Sequence, residues 1–170
     1  MLSLTITSIP FTEFKMRDKR FIAEHRGGLL TKVNHHKLIR WAGECSEHVL
    51  SLIDGDIDKR LLYALHVAKE WENENVTVGE AMKASIGAHA VARESSSPTS
   101  IAVARSVGHA VATAHMADHS LGGALYALKA VKLAGKSIDT ERKWQNEQLP
   151  LKIMELVLTA RNKKEKDLNI

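Results

Sequence analysis

The sequence predicts an all-α protein: a single-domain multi-helical bundle or repeat-like array of six to seven helices, with a short extended N-terminal arm. Three observations predict it. Apolar residues recur at helical spacing through most of the chain. Short polar runs between them carry helix start and stop residues. The stretch 101–117, IAVARSVGHAVATAHMA, is apolar on almost every face, which is expected of a helix that others pack around.

Residues 2–9 alternate Leu2, Leu4 and Ile6 with Ser3, Thr5 and Thr7, the period of a strand. With no partner strand in the chain, residues 1–16 read as an arm that docks loosely or pairs with another copy. The helical domain spans 17–162, and a charged tail over 163–170 is expected to fray after Arg161. Asp18 caps a short helix stopped by Gly27 and Gly28. Thr31 opens a longer one, with Leu38, Trp41, Cys45, Val49 and Leu52 at helical spacing. The next starts near Asp58 and carries Leu61, Leu62, Leu65, Ala68 and Trp71 on one face. Thr77 and Glu80 stand in capping-box register, which begins a helix running from Val78 to about Glu94. Ser97 and Pro98 form an N-cap with proline at the first helical position and open the central helix. Asp118, His119 and Ser120 mark the following turn, and a further helix ends at Gly135. Asp139 or Thr140 begins another, and Pro150 starts or kinks the last.

Two internal echoes favour repeated hairpins: Ser85-Ile86-Gly87 matches Ser106-Val107-Gly108, each followed shortly by histidine, and the tetrad from Leu62 matches that from Leu125. A chain of 170 residues suits one domain with a real core, and its single cysteine, Cys45, fits a reducing compartment and a buried packing role. No stretch reads as a secretory signal or a membrane span, so a cytoplasmic location is expected. The net charge of +4 raises nucleic acid as a partner. Scattered basic residues and an aromatic content of only 5% argue against it.

The polar content of the central stretch is concentrated in Arg105, His109 and Thr113, which repeat every four residues, and the seam continues through His115, Asp118 and His119. It is either an internal network, with Arg105 paired to Glu80 or Glu94, or a partner-binding surface in a cleft. His115 and His119 would share a face only if the helix continued; with His109 and His89 they are the candidate metal ligands, but the sequence specifies no complete set and no cofactor. There is no Gly-x-Ser-x-Gly elbow, and Ala130 stands where a phosphate loop ending in Gly135-Lys136-Ser137 needs glycine. No enzymatic signature is found.

The segments RDKRFIAEHRGGLLT, VGEAMKASIGAHAVARE, GHAVATAHMADHSLGGALYALKAVK and ERKWQNEQLP resemble, in order, the bacterial immunity proteins with an immunity-protein-5-like domain. The resemblance implies an all-helical cytoplasmic protein of a polymorphic toxin system, which binds the cognate toxin domain and neutralises it without enzymatic action. Two other readings stand beside it: a metal-binding helical protein or enzyme built on the His/Asp cluster, and a homo-oligomeric scaffold assembled through the arm.

Overall fold

A computed structural model describes residues 17–170, and the arm expected over 1–16 lies outside the described residues. After two 3-10 turns at Lys19–Phe21 and Glu24–Arg26, the chain forms seven α-helices: α1 (Lys32–His48), α2 (Lys59–Glu72), α3 (Val78–Glu94), α4 (Pro98–Ala112), α5 (His119–Leu133), α6 (Ile138–Glu147) and α7 (Leu151–Leu168). Among the described residues there is no strand, only an isolated bridge between Ala23 and Leu30. The all-α prediction holds.

The start signals operate as local chemistry requires. The side chains of Asp18, Thr31, Asp58 and Ser97 each accept a hydrogen bond from a first-turn amide, and Thr77 and Glu80 close a reciprocal capping box at the start of α3. Gly135 follows α5 with φ +72°, a left-handed turn that L side chains resist, and its amide returns to the Lys132 carbonyl. Four boundaries differ from expectation, the first being the end of the central helix, which stops at Ala112 rather than reaching Ala117. Ser137, not Asp139 or Thr140, caps α6, because its hydroxyl accepts from the Thr140 amide at 3.2 Å. The expected long first helix stops at His48 and passes into a 3-10 turn at Leu50–Leu52. α7 does not fray at Arg161 but runs to Leu168, because Arg161 is itself buried and draws the following turn inward through Glu165.

α4 is the central helix. It packs against α1, α2, α3 and α5, and its two faces serve two apolar clusters. Ala102 and Val103 join Trp41, Leu121, Ile153 and Val157 on one side; Ala104, Val107 and Val111 join Leu61, Leu65 and Ala88 on the other. Small residues on α4 let the neighbouring backbones come close, and dispersion contacts at close approach accumulate.

The Ser-x-Gly echo has a structural counterpart. Ser85 on α3 donates its hydroxyl to the Gly108 carbonyl on α4 at 2.9 Å, and Ser106 on α4 donates to the Gly123 carbonyl on α5 at 2.7 Å. The same bond therefore joins two successive helix pairs. Ser106 also accepts from Ser46 of α1 at 2.8 Å, so its buried hydroxyl is satisfied as donor and acceptor.

Candidate functional site

The histidines after each Ser-x-Gly element are placed by the same close packing. A methyl group on Gly108 would lie 2.7 Å from the His89 ring, and one on Gly122 would lie 2.8 Å from that of His109. Each ring thus occupies the volume that a side chain on the next helix would fill. A continuous polar seam results. Arg105 donates to Nδ1 of His89 at 2.8 Å, the rings of His89 and His109 meet edge to face, and Nδ1 of His109 lies 3.1 Å from Nδ1 of His119. Tyr126 lies nearly parallel to the His109 ring, with centroids 5.2 Å apart.

Burial, reinforced by Arg105, lowers the pKa of His89 to about 4. Burial together with His119 and His89 lowers that of His109 to about 3. Burial also lowers His119, against the opposing charge of Asp118. The rings of His89, His109 and His119 are therefore held neutral at physiological pH.

Only part of the predicted seam assembles. Arg105 does not pair with Glu80 or Glu94: Glu80 accepts from the Thr77 amide in the capping box, and Glu94 is held by Arg60 at 2.6 Å. Thr113 is fully buried, with its hydroxyl turned back onto the His109 carbonyl at 3.2 Å. α4 ends at Ala112 and α5 begins at His119, so His115 and His119 lie on opposite sides of a turn rather than on one helical face. Asp118 and His119 line a small pocket of about 320 Å³ with His109, Arg17 and Lys164, whereas His115 is exposed at the rim of a different cleft. The four candidate ligands, His89, His109, His115 and His119, do not converge, and among the described residues no group of three or more His, Cys, Asp or Glu is arranged to hold a metal ion.

That other cleft, about 540 Å³, is the larger concavity. Five chain segments meet there: the 3-10 turns, the start of α1, the end of α2, the start of α3 and the turn between α4 and α5. Its floor is apolar, with Phe21 and Leu30 buried and Trp71 and Met116 half-buried. His35 donates from Nε2 to the Thr113 carbonyl at 2.6 Å and packs against Trp71. Burial lowers its pKa, and the neighbouring His36, His25 and Arg26 press in the same direction. Arg26 reaches the Met116 sulfur at 3.4 Å, while Lys32 bridges Glu74. Of the cleft wall, only Ala114, His115, Met116 and Ala117 among the described residues lie in the central stretch. The one signal that pointed to the rest is that His35 sits three residues before Leu38 on the buried stripe of α1.

Cys45 is fully buried and burial pushes its thiol well above the ordinary range, which disables it as a nucleophile. No helix among the described residues is long and apolar enough to cross a membrane.

No curated protein and no solved structure matches the chain. The profile of one family, described as "Imm-5 like putative immunity protein", matches residues 28–152, from the turn before α1 to the first residues of α7. That span holds the whole His seam, both Ser-to-Gly helix contacts and most of the cleft wall, and the chain belongs to this Imm-5 like immunity-protein family.

Proposed function

We propose that the protein binds the cognate toxin domain of a bacterial polymorphic toxin system and neutralises it in the cytoplasm by one-to-one occlusion, without enzymatic action. Family membership over residues 28–152 is the observation that carries this reading. The architecture supports it. A bundle locked by buried hydroxyl-to-carbonyl bonds and close Gly–His contacts presents a preformed surface, and a preformed surface loses little conformational freedom on binding. An interface of the standard size, roughly 800 Å² per partner, fits on such a domain.

In this reading the seam of Arg105, His109, Thr113, Asp118 and His119, with His89, fixes the register of α3, α4 and α5. Arg105, His89, His109, His119 and Thr113 direct their polar contacts at one another, so the contact surface is placed elsewhere. Co-expression of the chain with the toxin domain encoded beside it tests the proposal: growth is restored if the reading holds, and continued toxicity with both proteins present at comparable levels contradicts it.

A further inference from the structure

We propose that the 540 Å³ cleft is where the toxin domain docks, and that it receives a segment presenting a carboxylate beside a large apolar side chain. The inference rests on the immunity reading and adds the surface and the chemistry of its partner.

The cleft is distinguished by which of its polar groups are already engaged. Its two acidic side chains are both used internally: Glu24 accepts from the Lys32 amide at 3.3 Å, and Glu74 is bridged by the Lys32 ammonium. Of the donors, Lys32 and His35 are engaged on Glu74 and on the Thr113 carbonyl, whereas Arg26, His25 and His115 keep unused capacity. Arg26 is exposed, and among the described residues its one side-chain hydrogen bond is to the Met116 thioether, a weak acceptor that leaves most of the guanidinium fork unused. His25 and His115, both exposed on the rim, have no hydrogen-bond or ion-pair partner among the described residues. The Arg26 fork and the two exposed imidazoles thus give the cleft unused donor capacity, and the Glu74 carboxylate is neutralised by Lys32.

A carboxylate meeting Arg26 would gain charge-assisted, geometrically matched bonds in place of the sulfur contact. The apolar floor of Trp71, Met116, Phe21 and Leu30 gives the adjoining side chain a place to lose water. Arg and Trp set in a concavity are the residue types that dominate binding energy at protein interfaces, and Met is enriched there. The net charge of +4 points the same way, toward an acidic contact surface on the toxin.

Calorimetric titration of the purified full chain with the purified toxin domain tests the assignment through Arg26→Glu, His115→Glu, Arg26→Lys and, outside the cleft on the exposed side of α3, Ile86→Glu. All three positions are exposed, so melting temperatures of the four variants are expected to stay close to wild type, and each is measured alongside. Expected are at least a roughly 30-fold loss of affinity for Arg26→Glu, a smaller loss for His115→Glu, partial retention for Arg26→Lys and wild-type affinity for Ile86→Glu. Wild-type affinity in Arg26→Glu and His115→Glu, with the complex still forming, overturns the cleft assignment and leaves the immunity reading standing. Failure of the wild-type chain to bind overturns both. Self-association of the chain alone that Arg26→Glu abolishes gives the cleft to a second copy and overturns the assignment.

Discussion

The Nδ1 atoms of His109 and His119 face each other at 3.1 Å, so one ring donates, the other accepts, and the two cannot both carry a proton there without repulsion. Upstream, Arg105 donates to His89 Nδ1, which fixes that nitrogen as an acceptor and disfavours its protonation. The seam is built for neutral imidazoles, and its stability therefore depends on pH.

Acid is expected to weaken the fold in the range where free histidine would charge. The folded-state pKa values of His89 and His109 are lowered to about 4 and about 3 from 6.5, so above pH 6.5 both folded and unfolded chains hold these rings neutral and the full stability is present. Below 6.5 the unfolded chain takes up protons that the folded seam refuses, and stability falls until the pH passes the folded values. Urea midpoints measured from pH 7.5 to 4.5 should decline, and His109→Gln, although less stable at pH 7.5, should decline less steeply. A parallel decline in the variant would contradict the assignment of the effect to His109.

Glycine-to-alanine changes should differ in sign across the molecule. A methyl group added to Gly43 in α1 would meet nothing within 4 Å, so Gly43→Ala is expected to stabilise by about 0.5–1 kcal/mol through helix propensity alone. At Gly122 the added carbon would lie 2.8 Å from Cγ and 3.2 Å from Cβ of His109, too near that residue's backbone for the ring to swing clear. Gly122→Ala should therefore destabilise by about 1–3 kcal/mol despite the same gain in propensity. Gly108→Ala should follow it, since moving the His89 ring breaks the contact with Arg105. Thermal melts of the three variants check the pattern.

Arg161 ties α7 to the domain. It is 1% exposed, donates to Gln145 Oε1 at 3.2 Å and to Asn146, and lies 3.5 Å from Glu165. Gln145 is itself anchored, its amide donating to the Ala124 carbonyl and its own carbonyl accepting from Trp41 Nε1 at 2.9 Å. Arg161→Ala is expected to cost about 3–5 kcal/mol, because it opens a cavity and leaves buried acceptors without a donor. Arg161→Met restores volume but not the donors and should still cost about 1–3 kcal/mol. Hydrogen exchange should show α7 opening before α4 in both variants.

The legible parts of the fold were those set by local chemistry. Asp18, Thr31, Asp58, Thr77 with Glu80, and Ser97 each announce a helix start through a side chain within three residues of the amide it serves, and all five operate. The central place of α4 was legible because an Ala- and Val-rich stretch has no polar face to give to water. Tertiary consequences were not. Arg161 read as the start of a frayed tail because nothing near it in sequence reveals Gln145 and Asn146 as partners. Similarly, His115 and His119 would share a face only if one helix continued through both, and spacing alone does not show that α4 already ends at Ala112. The cleft was illegible for the same reason: His25, Arg26, His35 and Trp71 come from three segments that only packing unites.

The central claim, neutralisation by stoichiometric occlusion, is tested most directly by titrating the purified protein into an activity assay of the toxin domain and then recovering the toxin. Occlusion predicts that residual activity falls linearly to an endpoint at one equivalent and that the recovered toxin has unchanged mass and full activity. Inhibition complete at a small fraction of an equivalent, or a toxin returned covalently altered, would contradict it.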